Sequence, residues 1–310
     1  MPLPHPVIVD GALRAAITPP LLKRCPTGIR ASCCALRNGM IRILSDIHFG
    51  DRASAVVSLD SLAPLLEGVG ELWLNGDTLD TRPGGPPGRM EERREHVLNF
   101  FLHQVPSVTY LTGNHDPDIS DRHVAEFCEG RVFMTHGDIL FKDIVPWSRD
   151  AALASTRLTR ELDALSEASR NHLETRLAAY RRVAASLPLR HQAVDHSLKY
   201  TLGYIADTIW PPSRMLRIVR AWRDTPEYAA TLLRKHRPRA RCFVMGHTHR
   251  SGTWRTRGGI TVLNTGSFCT PVGAAALDIG ESRLILRKIE RRRGEFRIGR
   301  TMAEIRVQDF

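Results

Sequence analysis

The chain has 310 residues, of which 42% are hydrophobic and 25% are charged, a composition typical of globular proteins. Its formal net charge of +11 favours anionic partners: phosphorylated substrates, nucleic acid or an acidic membrane surface. No apolar run approaches the roughly 20 residues that a membrane-spanning helix needs, so the composition argues against an integral helical membrane protein.

Residues 1–38 show no clear periodicity and predict an irregular N-terminal arm. The stretch lacks the basic and long apolar regions of a signal peptide. Six scattered cysteines form no CxxC pair: Cys25, Cys33, Cys34, Cys128, Cys242 and Cys269. They predict reduced thiols. We therefore expect a cytoplasmic protein. It could also contact the inner face of the membrane peripherally.

From residue 39 onward, a short apolar run ends five times in polar residues that can hold metal. The polar ends carry, in chain order, Asp46 and His48, Asp77 and Asp80, Asn114 and His115, His136, and His247 and His249. Such runs predict buried strands, and helical segments near 54–68 and 90–104 predict βαβ units between the first three. Because sites in these sheets gather beyond the carboxyl ends of strands, we expect the five clusters to meet.

Residues 142–240 lack this pattern of apolar runs followed by polar residues. They predict a basic helical insertion in a domain spanning 39–310. They contain 18 Lys and Arg against 10 Asp and Glu. Apolar residues recur at helical spacing, which favours helix packing over a lipid groove: Leu158, Leu162 and Leu165, then Leu173, Leu177 and Tyr180. Thr225-Pro226 resembles a cap followed by the first residue of a helix.

The end of the chain predicts antiparallel strands. Gly258-Gly259 suggests a tight turn, and apolar side chains alternate over 260–263 and 284–286. We therefore expect a closing β-meander after residue 250.

The polar clusters predict a centre of two divalent cations. Asp77 can bridge two ions through its two carboxylate oxygens, Asn114 offers an amide oxygen, and His136 offers an imidazole nitrogen. Such donors suit manganese, our first expectation, and also iron, zinc or cobalt. Two such ions attract a phosphate anion and lower the pKa of water towards about 7, which supplies hydroxide at neutral pH.

Other polar residues beside these motifs have predicted roles around the metals. His115 is a candidate acid for the leaving group because its ordinary pKa lies near working pH, and Asp80 can orient its ring. Arg82 and Arg250 can hold phosphate oxygens. The alternative is that both are ordinary solvated surface arginines. Asp116 and Asp138 are expected to be turn residues or partners of ligands.

Five motifs in this order resemble the calcineurin-like metallophosphoesterase superfamily: DxH at 46–48, GDxxD at 76–80, GNHD at 113–116, HGD at 136–138 and GHTH at 246–249. The resemblance implies an α/β (α+β) fold, in which a β-sandwich is flanked by helices to give four layers. It implies two sets of metal ligands that share one residue, namely Asp46, His48, Asp77 and His249 for one ion, and Asp77, Asn114, His136 and His247 for the other. It also implies that His115 is the catalytic histidine.

Within that superfamily, HGD, GHTHR and the basic insertion are similar to bacterial UDP-2,3-diacylglucosamine pyrophosphohydrolases. Those enzymes cover an acyl-chain cavity with a helical insertion, and they typically have Arg where this chain has His115. Protein Ser/Thr phosphatases are less similar, because they use GDxVDRG and GNHE where this chain has GDTLDTRPG and GNHD.

Three hypotheses follow from the sequence. The first is hydrolysis of a phosphoester or pyrophosphate at two metals, with UDP-2,3-diacylglucosamine or a related nucleotide or lipid pyrophosphate as a substrate. The second is a nucleic-acid-binding protein or nuclease that uses the basic insertion, although no OB, RRM or zinc-finger motif accompanies it. The third is a lipid enzyme that works at a membrane surface. The sequence predicts no oligomeric state.

Overall fold

The computed structural model describes residues 39–82, 88–188 and 212–310, and the predicted arm at 1–38 lies outside these ranges. The eleven strands of the described residues are β1 Met40–Leu44, β2 Val69–Asn75, β3 Ser107–Leu111, β4 Val124–Phe127, β5 Val132–Thr135, β6 Cys242–Met245, β7 Gly252–Arg255, β8 Thr261–Asn264, β9 Ala275–Ile279, β10 Arg283–Arg292 and β11 Glu295–Arg306. The α-helices of the same ranges are α1 Arg89–Gln104, α2 Ala151–Asp163, α3 Glu167–Asn171, α4 Leu173–Ser186 and α5 Pro212–His236.

These strands form two sheets. The first has the order β11-β10-β9-β1-β2-β3, and the second has the order β4-β5-β6-β8-β7. In the first sheet β1, β2 and β3 are parallel neighbours, as the predicted βαβ units require. In the second sheet β5, β6 and β8 are parallel. Parallel strands end at a common edge, so the polar residues after each group of strands share that edge.

Three apolar clusters fix the order of the layers. Between the sheets, side chains of β1 and β9 such as Ile43 and Leu277 pack with side chains of β5 and β6 such as Met134 and Val244. A second cluster joins α1 to the outer face of the first sheet, and a third joins α2, α4 and α5 to the outer face of the second. The molecule is therefore a two-sheet sandwich with a helical layer on each side, which confirms the predicted four-layered α/β fold.

The segment at 54–68 forms a shorter element than the predicted helix. A 3-10 helix covers Leu59–Leu65, and the hydroxyl of Ser58 caps its start by accepting from the Asp60 amide. Pro64 lies inside it and has no amide hydrogen to donate, which limits further helical bonding. The predicted segment at 90–104 is confirmed as α1.

Helices α2 to α5 lie between β5 and β6, where the sequence predicts an insertion. Leu158, Leu173, Leu177 and Tyr180 are buried in the cluster against the second sheet, which confirms that this apolar stripe packs helices. The predicted helix start at Pro226 is wrong, because α5 runs through that proline. The domain boundaries themselves remain a prediction.

The closing strands divide between the sheets. The β9-β10-β11 run is an antiparallel meander on the edge of the first sheet. The preceding β7–β8 pair, also antiparallel, belongs to the second sheet. Within the described ranges, no helix is both long and apolar enough to cross a bilayer.

Candidate metal centre

The structure brings the seven predicted metal ligands to one place. Four of them follow strands of the first sheet, namely Asp46, His48, Asp77 and Asn114, and three follow strands of the second, namely His136, His247 and His249. Contacts cross between the sheets: Asp46 Oδ1 lies 3.2 Å from His249 Nε2, and Asn114 Oδ1 lies 3.1 Å from His136 Nε2. The donors are therefore gathered where the carboxyl ends of both sheets meet.

Asp77 lies at the middle of this group. Its Oδ2 atom is 3.3 Å from His136 Nε2 and 3.7 Å from His48 Nε2. Its Oδ1 atom accepts the backbone amide of His115 at 2.8 Å. One carboxylate thus faces imidazoles from both sheets, which is the position that a bridge between two cations requires.

On one side of Asp77, three donors lie close to one another. The Nε2 atoms of His48 and His249 face each other at 3.3 Å, and Asp46 Oδ1 lies 3.8 Å from the former. Two imidazole nitrogens and a carboxylate oxygen that point at one another are suited to a shared cation.

On the other side, backbone carbonyls orient two histidines. His136 Nδ1 lies 2.9 Å from the carbonyl of Asn75, so a proton on Nδ1 is donated there and Nε2 is left towards Asn114 and Asp77. His247 Nε2 lies 2.9 Å from the carbonyl of Ile144, so a proton on Nε2 is donated there and Nδ1 is left as the nitrogen that can bind a metal. Such outer hydrogen bonds fix the tautomer of a ligating histidine.

Local backbone conformation gives a further sign that the cluster is a site. Five of the seven predicted ligands have positive φ angles, from 51° to 63°: Asp46, His48, Asp77, His247 and His249. This left-handed region is unfavourable for residues other than glycine, at a cost of about 1–3 kcal/mol each. Strained residues of this kind concentrate at functional sites, where surrounding structure holds them.

The protonation of the histidines differs across the cluster. Burial, helped by the neighbouring His115, lowers the pKa of His48 to about 3. Burial and the nearby His136 lower the pKa of His247 to about 4. Burial also lowers the pKa of His136, but the carboxylates of Asp77 and Asp46 outweigh it and raise that pKa to about 10. His48 and His247 are thus neutral and ready to ligate, whereas a cation must displace a proton from His136.

His115 lies beside the cluster with the partner that the sequence predicts. Its Nδ1 atom is 2.8 Å from Asp80 Oδ2, and its ring is 4.7 Å from that of His48 between centroids. Burial and the charge of Arg82, whose Nη2 atom lies 3.0 Å from Nδ1, lower the pKa of His115, but the charges of Asp77 and Asp80 outweigh them and raise it. When Nδ1 donates its proton to Asp80, Nε2 is the ring nitrogen that can face a leaving group.

The two predicted phosphate-binding arginines have different surroundings. The Arg82 guanidinium forms a two-point ion pair with Asp80, at 2.6 and 2.9 Å, and so steadies the carboxylate that holds His115. Arg250 is exposed, and its guanidinium lies 5.5 Å from the ring of Trp222 and 5.2 Å from that of Trp254. Phosphate binding by either arginine remains a prediction.

Asp116 and Asp138 support the ligand loops, as the sequence suggests. Asp116 is buried and accepts the backbone amides of Asp77 and Thr78, at 2.8 and 2.7 Å, and that of Gly113 at 2.8 Å. Asp138 forms a buried two-point ion pair with Arg181 of α4, at 2.6 and 3.0 Å. Asp116 thus connects the GDxxD and GNHD loops, and Asp138 connects the HGD loop to the helical layer.

Sequence reasoning missed a sixth polar cluster, which begins at the last residue of β8. Asn264 donates to the Gly246 carbonyl at 2.8 Å and to the Thr248 hydroxyl at 2.9 Å, and so braces the GHTH loop. Five residues later, the thiol of Cys269 lies beside His48 and His249. The signal was present, because an apolar strand-like run at 260–263 passes directly into Asn-Thr-Gly-Ser.

The donor set fits divalent metal. Ligand atoms lie within 4.8 Å of one another in three groups: Asp46, Asp77 and His136; His48, Asp77 and His115; and His48, His249 and Cys269. Carboxylate oxygens, imidazole nitrogens and the Asn114 amide suit manganese, iron, zinc or cobalt. Asp77 and His48 each belong to two groups, as expected for adjacent metal positions.

His123 lies apart from the predicted ligands and offers a pH test. Burial and the nearby charge of Arg181 lower its pKa to about 4, and its Nδ1 atom lies 2.7 Å from the Thr112 hydroxyl. The unfolded state, with an ordinary pKa near 6.5, binds more protons between these values, so the free energy of unfolding should decrease as the pH falls from 6.5 to 4. Urea denaturation at pH 7 and pH 5 should show a smaller decrease for His123→Gln than for the wild type; equal decreases would contradict the assignment.

The sequence matches no protein-family model, and no curated protein matches it. The fold is similar to that of Vps29 from Cryptosporidium parvum, at 12% identity and a TM-score of 0.41, covering 87% of this chain and 98% of that one. It is also similar to a dimetal phosphatase from Danio rerio, at 15% identity and a TM-score of 0.40, over 86% of this chain and 98% of that one. A predicted phosphoesterase from Streptococcus pneumoniae has 15% identity and a TM-score of 0.32, over 88% and 99% respectively. At these scores the neighbours assign neither family nor activity, and function is inferred below from the site.

Proposed function

We propose that this protein is a metal-dependent phosphoesterase of the calcineurin-like superfamily, which hydrolyses a phosphoester or pyrophosphate bond. The observation that carries the proposal is the gathering of seven oxygen and nitrogen donors around Asp77, from strand ends of two sheets. Five of these donors occupy strained backbone positions, and buried hydrogen bonds orient the rings of His136 and His247. Side chains that only stabilise the fold would need neither strained backbone positions nor oriented imidazole rings.

Each part of the chain then has a role. When bound, two divalent cations supply hydroxide at neutral pH and neutralise charge on the phosphoryl oxygens. Asp77 would hold both metal positions together, and Gly76, Gly113 and Gly246, next to the ligands, let the loops approach closely. His115 presents Nε2 to the leaving-group oxygen and donates a proton, while Asp80 holds Nδ1. Arg82 keeps Asp80 in place through its two-point ion pair.

The substrate side of the site favours a phosphate with a bulky partner group. Helix α5 reaches the site through Trp222, whose Nε1 donates to the Thr248 carbonyl at 2.8 Å. The rings of Phe141 and Trp147 lie 5.6 and 5.5 Å from that of His247. The partly exposed Trp147 and Trp222 and the exposed Arg250 fit a nucleotide or lipid pyrophosphate, and UDP-2,3-diacylglucosamine is the specific substrate that we propose to test. Peripheral membrane contact and a cytoplasmic location remain predictions.

Asp77→Asn tests the metal centre. The amide keeps the shape but loses the charge and one bridging oxygen. We therefore expect the variant to lose bound metal and to lose more activity than the about 10–100-fold that changing an outer partner of a metal ligand costs. Elemental analysis and turnover of an aryl phosphate with added manganese are the measurements. Asp163→Asn, in an exposed carboxylate at the end of α2, is the matched control. Full metal content and activity in Asp77→Asn would refute the proposal.

His115→Ala separates proton donation from metal binding. General acid catalysis contributes about 10²–10⁴-fold, but mainly where the leaving group is a poor one. We expect the variant to slow alkyl phosphate hydrolysis far more than nitrophenyl phosphate hydrolysis, with unchanged metal content. Equal slowing of both substrates would remove His115 from the acid role.

A substrate panel distinguishes the remaining hypotheses. UDP-2,3-diacylglucosamine, nucleotide diesters, phosphomonoesters and single-stranded DNA should be compared with manganese added. A pyrophosphate preference supports the nucleotide or lipid assignment. Preferred cleavage of DNA, with binding that weakens steeply as salt rises, would instead favour a nuclease that uses the basic helices. Flotation of the full chain with anionic liposomes tests membrane contact separately.

A further inference from the structure

Cys269 occupies a position next to the metal centre that its chemistry can use. Its sulfur and a ring nitrogen of each of His48 and His249 lie within 4.8 Å of one another. In a tetrahedral zinc site, with bonds of about 2.3 Å to sulfur and about 2.0–2.1 Å to nitrogen, the sulfur and nitrogen ligands lie about 3.6 Å apart. A shift of up to about 1 Å therefore brings all three donors onto one ion.

The main chain holds this cysteine in place. The Phe268 amide and the Ser267 hydroxyl both donate to the Asp46 carbonyl at 3.1 Å, so the loop is anchored to a ligand loop. The Cys269 amide donates to the Ser267 hydroxyl at 3.0 Å, and the Thr270 amide donates to the Ala53 carbonyl at 3.0 Å. Hydrogen bonds on both sides thus hold the backbone of Cys269 beside the site.

The surroundings of Cys269 differ from those of the other described cysteines. Cys128 and Cys242 are buried in the apolar cluster between the sheets, where a thiol packs as a small hydrophobic group. Cys269 is equally buried, at 4% exposure, but it belongs to none of the three apolar clusters. Among the cysteines that the structure describes, it alone falls in a group of potential metal ligands.

We propose that Cys269 is a further ligand of the cation held by Asp46, His48, Asp77 and His249, and that it shifts this position from manganese towards zinc or cobalt. The inference rests on the proposed metal centre. On binding, a bond forms between the sulfur and the metal, the S–H bond breaks, and the proton passes to the buffer. Thiolate is a soft ligand that favours zinc, whereas manganese prefers oxygen donors, so the inference revises the expectation of manganese at one position.

Cobalt(II) spectroscopy tests the bond directly. Cobalt replaces zinc in such sites, and a thiolate ligand adds a sulfur-to-cobalt charge-transfer band in the near ultraviolet to the weaker visible bands of the ion. Cys25, Cys33 and Cys34 lie outside the described residues, so the starting protein is the full chain with these three changed to Ser. We expect the metal-free form of this protein to develop both the charge-transfer and the visible bands on titration with cobalt.

Variants of this protein without Cys25, Cys33 and Cys34 show which cysteine produces the charge-transfer band. Cys269→Ser should keep the visible bands and lose the charge-transfer band, whereas Cys242→Ala should keep both. Competition with a chelator should show that Cys269→Ser weakens zinc binding by more than about tenfold, the smaller loss typical of changing an outer partner of a metal ligand. Manganese binding should weaken less.

The outcomes separate this inference from the proposed function. Cobalt that binds with visible bands alone, or a charge-transfer band that survives Cys269→Ser, overturns the assignment of Cys269 and leaves the metal centre standing. Equal weakening of zinc and manganese overturns the metal preference. If neither cobalt, zinc nor manganese binds, the proposed function fails as well.

Discussion

Gly113→Ala should disable the metal centre, although it adds only one methyl group. A Cβ atom on this residue would overlap both Oδ1 and the backbone nitrogen of Asp77, and would lie 2.8 Å from Asp116 Oδ1. The backbone of Asp77 cannot move away, because Asp116 accepts its amide and the turn that carries it is buried. We therefore expect metal affinity to fall about 10–100-fold and the free energy of unfolding to fall by about 1–3 kcal/mol.

Gly273→Ala is the matched control for that prediction. A Cβ atom on Gly273 meets no atom within 4 Å, and its φ angle lies outside the left-handed region. Metal titration by calorimetry and urea denaturation should show near wild-type values for Gly273→Ala. If Gly113→Ala binds metal as tightly as the control, the close packing of the GNHD and GDxxD loops has no part in forming the site.

Arg181→Met should cost about 3–5 kcal/mol of unfolding free energy, because it leaves the buried carboxylate of Asp138 without its cation. Both side chains are almost fully buried, at 5% and 0% exposure. Burial raises the pKa of Asp138, and the charge of Arg181 outweighs it and lowers that pKa. Without the arginine the buried carboxylate must either stay charged at high cost or take up a proton, and both outcomes destabilise the folded state near neutral pH.

The next residue of the same helix supplies the control. Arg182 pairs with Glu161 at 2.8 Å, but both side chains are well exposed, and exposed pairs contribute only about 0–1 kcal/mol. Chemical denaturation of Arg181→Met and Arg182→Met should therefore give clearly different stabilities. The double variant Asp138→Leu/Arg181→Met should recover part of the loss, since paired apolar replacements often do. Equal stabilities for the two single variants would contradict this account of the buried pair.

The strands and the positions of the ligands were predictable because each metal motif directly follows an apolar run. Residues 40–44 became β1, and 241–245 became β6 with a shift of one residue at its start. The division of these strands between two sheets did not follow from periodicity, because a buried strand has the same pattern in either sheet. The resemblance to a known superfamily supplied that part of the fold.

Helix boundaries were less predictable where local and tertiary preferences compete. The Thr225-Pro226 pair has the chemistry of a helix start, yet α5 passes through it. Thr225 is buried, and its hydroxyl donates to the Ala221 carbonyl at 2.6 Å, while Ala229, Ala230 and Leu233 pack against the second sheet. Burial of that apolar face outweighs the one hydrogen bond that the proline cannot make.

In the site, side chains that act through a ligand were harder to find than the ligands themselves. Asp80 was predictable from its spacing to Asp77, and its contact with His115 followed. The brace formed by Asn264 and the approach of Cys269 depend on how the chain after β8 folds back over β1. Spacing within one motif carries no information on such a contact between distant segments.

The division of the donors between two sheets has a thermodynamic consequence. Asp46 and Asp77 follow strands of one sheet, and His249, their partner at one predicted metal position, follows a strand of the other. Asn114 and His136 divide the second position in the same way, so each cation would link the two sheets through ligands that only the folded sandwich brings together. Each tenfold rise in free metal above the dissociation constant should then add about 1.4 kcal/mol to the free energy of unfolding. The melting temperature of the protein would thus report ion occupancy, rising with added metal and falling with chelator, without any substrate present.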